Sequence, residues 1–333
     1  MEKEKQNFED IVGRLGIKGR VKQLKITVPL LVRILKDLEE STQFSIEIHL
    51  KNGEIDEDTQ RETIVKEFNE IAKQYQQQTN YKFSSIKIHV PFEFKGKHFN
   101  LATFDQEIWS NSLDLIKKLL EMAEKIEKET KISTKIVIHG YSLDYFLGSQ
   151  EKLYEINFCH SLDRIFNALN SFSLIEREKI GIENTGTGPC STPQNLVDLA
   201  SKLKCFVVQD VAHLLRRFYV DENGVMYERE YNDSKNLIGG IKKMLHYTKH
   251  WHICQHHGGW KHDDWHLAMP GIINWPEIIP YILNNLKEND ATAIIEVESM
   301  NYDRPIESFG SFLLFRQMIR KAQSLRCNIA SER

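Results

Sequence analysis

KIGIENTGTGPCSTPQNLVDLASKLKCFVVQDVAH, Lys179 to His213, is the stretch on which the fold turns. KIGIEN and CFVVQD are short runs of β-branched and apolar residues, each closing near a carboxylate. Between them TPQNLVDLASKL has apolar residues at helical spacing and opens on Thr192 ahead of Pro193, a sound helix start. Strand, helix and strand at such short range imply a crossover connection and a parallel pair.

The same alternation runs outward in both directions. FSIEIHL, SIKIHV, KIVIHG, HICQHH and ATAIIEV read as further strands, making seven in all. Helical periods lie between them in DTQRETIVKEFNEIAKQYQQQ, NSLDLIKKLLEMAEKIEKE, SLDRIFNALNSF, SKNLIGGIKKMLHYTK, NWPEIIPYILNNLK and ESFGSFLLFRQMIRKAQ. An eighth strand would close a barrel, and its place is between Asp10 and Thr27, ahead of the helix PLLVRILKDLEES. No Gly/Ser/Pro linker, charge block or internal repeat divides the chain. A single-domain (β/α)8 TIM barrel over residues 1–333 is therefore expected, with a doubly wound open sheet as the alternative. No strand is followed by GxGxxG or GxxxxGKS, so no organic cofactor is expected. FYV and VMYE around Asn223-Gly224 predict a hairpin insertion at about 216–232, projecting from the mouth.

Composition bounds the setting. The 333 residues are 41% hydrophobic and 27% charged, enough to bury a large core, and a net charge of -3 supplies no global basic field for nucleic acid. The opening MEKEKQNFED has no apolar signal region, and ITVPLLVRIL is too short to span a bilayer. The five cysteines are odd in number and contain no CxxC pair. A cytoplasmic protein without a membrane partner is expected; the oligomeric state is left open.

In a barrel of this kind, residues that end strands converge at one mouth. Here they are His89, His139, Glu183, Asp210, His256 or His257, and Glu296. Any one of them alone reads as a cap or a backbone partner; six together do not. His256 is preferred over His257 because it keeps Ile253 facing the helices. QDVAH adds His213 three residues after Asp210, and DDWH adds Asp264 and His266, two apart and so on one side of an extended loop. Carboxylate oxygen with imidazole nitrogen suits zinc, manganese or iron. Phe92, three residues after His89, and Arg216 and Arg217 in the hairpin region are the candidates for substrate contact, with Lys95 and Lys97 the other cations near the mouth loops.

The ordered series IHVPF, VIHG, IENTGTG, QDVAH, QHHGG, DDWH and IIEVE resembles the endonuclease IV and xylose isomerase-like superfamily of (β/α)8 barrels, the second family of AP endonucleases. The resemblance runs from about Phe44 to Phe315. In its nuclease branch it implies a trinuclear zinc cluster and hydrolysis of DNA at abasic sites; in its sugar isomerase and epimerase branch, one divalent ion between two glutamates, an aspartate and a histidine. Carried over, His89, His139, Glu183, Asp210, His213, His256, Asp264, His266 and Glu296 would be the metal ligands for two or three ions, with Glu183, Glu296 and His213 catalytic. His89 and His139 lack counterparts in most single-metal relatives, which favours the hydrolase. The implied partner is DNA with abasic sites, or else a small sugar. A metal-binding barrel without catalysis is the third expectation.

Overall fold

Period-two alternation in eight short strands builds the molecule: one set of side chains enters the lumen and the other meets the helices. In this computed structural model, which describes residues 9–139, 158–185, 189–215, 218–220, 226–228, 234–256, 267–268, 271–297 and 306–331, the strands are Leu15–Gly19 (β1), Ser45–His49 (β2), Ile86–His89 (β3), Thr134–His139 (β4), Ile180–Glu183 (β5), Phe206–Asp210 (β6), Thr248–Ile253 (β7) and Thr292–Ile295 (β8). Each pairs in parallel with its neighbour in sequence, and β1 pairs with β8 to close the barrel. The fold is a single-domain TIM barrel.

A helix follows every strand: Val21–Asp37 (α1), Asp58–Thr79 (α2), Gln106–Thr130 (α3), Phe158–Asn170 (α4), Pro193–Leu203 (α5), Ser234–Met244 (α6), Trp275–Glu288 (α7) and Ile306–Ser331 (α8). An extra turn, Leu174–Arg177, precedes β5. The helices lay apolar stripes on the barrel; in α1 the stripe is Leu24, Val28, Leu31 and Leu35. Asn80, Lys131 and Lys204 take left-handed conformations that end α2, α3 and α5 and turn the chain toward the next strand.

Glycine is required in the lumen at Gly181. A Cβ on Gly181 would lie 2.3 Å from the Phe206 ring. Its absence lets Phe206 join Val137 and Val208 in a small apolar plug inside the barrel, separate from the main core. Lys87, nearly fully buried, also points inward, and its Nζ donates to the Ser85 hydroxyl.

Three elements differ from the sequence reading. Helix α1 begins at Val21, eight residues before PLLVRILKDLEES, and Pro29 lies inside it. Val21, Leu24, Thr27 and Val28 continue the buried stripe, so packing overrides both the local β-branched composition and the proline. Strand β7 is TKHWHI, not HICQHH, and α6 stops at Met244, short of the expected LHYTK. His250 and His252 on the lumen side of β7 disguise the strand, whose helix-facing side carries Trp251, bonded through Nε1 to Asn285 of α7. The expected hairpin region contains the antiparallel pair Phe218–Val220 and Met226–Glu228.

Candidate metal centre

The lumen-facing set of the strands brings carboxylates and imidazoles together at the C-terminal mouth. On β5 the period-two rule turns Glu183 inward; on β6 it turns Asp210 inward, next to Phe206 and Val208 on the same face. His252 enters from β7, and Glu296 follows the end of β8. One ligand atom from each of Glu183, Asp210, His252 and Glu296 lies within 4.8 Å of the others, and all four residues are buried. His89, His139 and Glu183 form a second such group.

Glu183 belongs to both groups. Its Oε2 lies 3.0 Å from His89 Nε2 and 3.7 Å from His139 Nε2, while its Oε1 lies 3.3 Å from His213 Nδ1 and 3.4 Å from His252 Nδ1. Burial alone would raise the Glu183 carboxyl, but His252, His213 and His89 around it hold it well below the usual carboxylate range. His139 is pushed down to about 3 by burial and by His89 beside it, which leaves its imidazole neutral with a lone pair to offer. Burial, with Glu296 and Glu183 nearby, raises the Asp210 carboxyl.

Supporting bonds fix these groups. Asn184 donates to the Asp210 carbonyl and accepts from its backbone N–H, locking the end of β6 against that of β5. His213 sits in a 3-10 turn whose backbone N–H donates to Asp210 Oδ1, and its Nδ1 lies 2.8 Å from the Asn184 carbonyl. Lys18, inward on β1, pairs with Glu296 Oε1.

The donor set suits a divalent cation. Three carboxylates and an imidazole occupy one buried pocket, where an uncompensated excess of negative charge is costly. Asp210 Oδ2 and Glu296 Oε2 are buried without a hydrogen bond, and His252 Nδ1 lies 2.7 Å from Glu296 Oε2 without forming one. Donor atoms gathered within 4.8 Å of one another fit zinc, manganese or iron coordination.

The sequence expectations meet this geometry unevenly. His89, His139, Glu183, Asp210, His213 and Glu296 are brought together. His256 is not brought together with them: it lies three residues beyond the end of β7, buried and outside the groups that the described residues form, with its backbone N–H donating to Gln255 Oε1, and the histidine of this strand in the cluster is His252. The misplaced strand is the reason, since a four-residue shift preserves the inward face and exchanges one histidine for another. His257, Asp264, His266, Arg216 and Arg217 lie outside the described residues. Phe92 is on the mouth surface and stacks on the His139 ring, with centroids 4.8 Å apart and planes at 6°. It stands at the base of a small ribbon, Glu93–Phe94 with Lys97–His98, that sequence reading did not anticipate. Lys95 and Lys97 are not free cations: they pair with Asp114 at 3.2 Å and Glu107 at 2.9 Å.

Sequence reasoning missed four residues of the site: Lys18, Glu47, His49 and His252. Glu47 and His49 share the inward face of SIEIH, and His49 stacks on His89 at 5.2 Å between centroids. A carboxylate and an imidazole two apart in a strand was the available signal.

A family model described as the xylose isomerase-like TIM barrel matches residues 40–311. The chain belongs to this family. Among solved structures, the family fold is shared with a D-tagatose 3-epimerase-like protein at 17% identity and a TM-score of 0.60, covering 93% of this chain and 98% of that one. Endonuclease IV from Thermus thermophilus aligns at 14% identity with a TM-score of 0.57, covering 92% and 99%. A 3-keto-D-glucoside 4-epimerase from E. coli aligns at 12% identity with a TM-score of 0.53, covering 91% and 98%. No curated protein matches the chain in sequence. None of the described helices is long and apolar enough to cross a membrane.

Proposed function

We propose that this member of the xylose isomerase-like family is a metal-dependent phosphodiester hydrolase, and that its substrate is DNA containing an abasic site. The observation that carries the reading is the position of Glu183, one carboxylate shared between the His89–His139 pair and the Asp210–His252–Glu296 group. A lone ion chelating a sugar has no use for the histidine pair, whereas two ions bridged by a carboxylate do. Divalent ions at these positions, zinc being the best match to the donors, supply charge stabilisation for a phosphate and a water acidic enough to attack near neutral pH.

The residues of the chain divide the remaining work. Glu183 would be shared between the ions and would orient a water for attack; Asp210, His252 and Glu296 would hold one ion, and His89 and His139 the other. His213 adds a further nitrogen beside Glu183. Lys18 neutralises part of the charge on Glu296 and fixes its carboxylate plane. Asp264 and His266 are proposed to complete a third position, as the nuclease branch implies. The choice of DNA rests on the likeness to endonuclease IV and on the histidine pair, since Lys95 and Lys97 are occupied by carboxylates.

A second reading also has an observation behind it. Glu183, Asp210, His252 and Glu296 are two glutamates, an aspartate and a histidine, the set that suits one ion in a sugar isomerase or epimerase. Metal content of the purified protein, followed by cleavage of an abasic-site duplex, tests the first reading. At least two ions per chain and strand cleavage, both reduced in His89→Ala/His139→Ala, are expected. Full activity in that double variant, with a ketose interconverted by the wild type and abasic DNA left intact, would replace the hydrolase with the isomerase.

A further inference from the structure

Below the candidate metal centre the lumen holds a further carboxylate that neither reading uses. Glu47, on β2, and His252, on β7, reach each other across the barrel, and both are fully buried. Glu47 Oε2 lies 3.0 Å from His252 Nε2 and 2.8 Å from His250 Nε2. The other ring nitrogen of His252, Nδ1, is the atom aimed at Glu296 and Glu183, 2.7 Å and 3.4 Å away.

We infer that Glu47 is a positioning residue that accepts the Nε2 proton of His252, fixing the ring so that Nδ1 is its metal-binding atom. An imidazole that coordinates through one nitrogen keeps a proton on the other, and a carboxylate acceptor there sets both tautomer and ring orientation and makes the ligand more basic. His250 secures the acceptor in turn. An ionised Glu47 can only accept, so the Nε2 of His250 carries the proton that points at it, while His250 Nδ1 lies 2.7 Å from the Thr292 hydroxyl. Glu47 is therefore held at two points by N–H groups on one strand, in a position where a carboxylate without partners would be costly.

Direct coordination by Glu47 is the competing role for the same residues. One ligand atom each from Glu47, His89 and His252 also lies within 4.8 Å of the others. An ion there could take Glu47 Oε1, which is buried without a hydrogen bond, but it would also need a nitrogen of His252, and these are directed at Glu47 Oε2 and at Glu296 and Glu183. The observed pairing with His250 and His252 favours the accepting role.

The inference rests on the metal-centre reading, and its test keeps the two apart. Protein stripped with chelator is reloaded with zinc, and stoichiometry and affinity are measured by competition with a chromophoric chelator. Wild-type protein that takes up no zinc overturns the metal centre itself. If zinc binds, long-range proton–nitrogen NMR of histidine-labelled protein, with His252→Asn for assignment, should find His252 protonated at Nε2 and zinc-shifted at Nδ1. In Glu47→Gln the Nε2 proton signal should move upfield and zinc affinity should fall by about 10- to 100-fold with stoichiometry unchanged, the range for loss of a carboxylate behind a metal-bound histidine. Affinity within about twofold of wild type with an unmoved signal would overturn the role, and so would the loss of one whole zinc, which would make Glu47 a ligand. Should Glu47→Gln not fold, the wild-type spectrum decides alone, because zinc at Nε2 of His252 excludes the assignment.

Discussion

Replacing Glu183 with Gln removes one charge from the place where both ligand groups meet while keeping the side-chain volume. In the wild type its two oxygens face four imidazoles at 3.0 to 3.7 Å. Gln presents an amide N–H₂ in place of one oxygen, so it cannot bridge two cations. Changing a partner behind a metal ligand already weakens binding by about 10- to 100-fold, and loss of a direct, shared ligand should reach at least the upper end. At a free ion concentration about 100 times the wild-type Kd, ion binding stabilises the folded chain by about 2.7 kcal/mol; a roughly 100-fold weaker Kd leaves about 0.4 kcal/mol. At roughly 2 °C per kcal/mol, the lower end for larger domains, the variant should lose about 5 °C of the metal-dependent rise in Tm. Thermal unfolding with and without zinc, alongside elemental analysis, measures both quantities. A Glu183→Gln protein that holds the wild-type number of ions and shows the full rise would refute the shared-carboxylate argument.

Two further outcomes are expected. His252→Ala should lose bound metal while His256→Ala keeps it, as elemental analysis of the two purified variants would establish; the reverse result would restore the sequence-based choice of His256. Lys87→Met should stabilise the protein most at or below pH 7, because burial, with Lys135 nearby, pulls the Lys87 ammonium from 10.5 down to about 7. Below about pH 7 the folded chain carries that buried charge at full cost, on the order of a few kcal/mol. Between about pH 7 and 10.5 the folded amine loses its proton and the cost fades, so the gap between variant and wild-type urea midpoints should narrow from about pH 7 to pH 9.5. A gap independent of pH in that range would mean that the amine is not a buried cation.

The alternation of β-branched runs with helical periods determined the barrel, because a parallel strand needs a crossover and the hydrophobic period differs between the two elements. It located seven of the strands within a few residues and confined the eighth to an interval that contains Leu15–Gly19. Strand-end position likewise picked out His89, His139, Glu183, Asp210 and Glu296, since ending a parallel strand is a property of the local sequence. The polar residues deeper in the lumen could not be read in that way. Glu47 looks like an ordinary charged position in a strand until closure of the sheet sets it opposite His250 and His252, more than 200 residues away. His252 and His256 are likewise equivalent by alternation, both facing inward if the strand is long enough. Only the pairing of β7 with β6 and β8, which sets His252 against Asp210 and Ile294, decides which of them meets the carboxylates. Local pattern specifies which face a side chain takes; its depth in the barrel, and hence its partners, comes from register between strands distant in sequence.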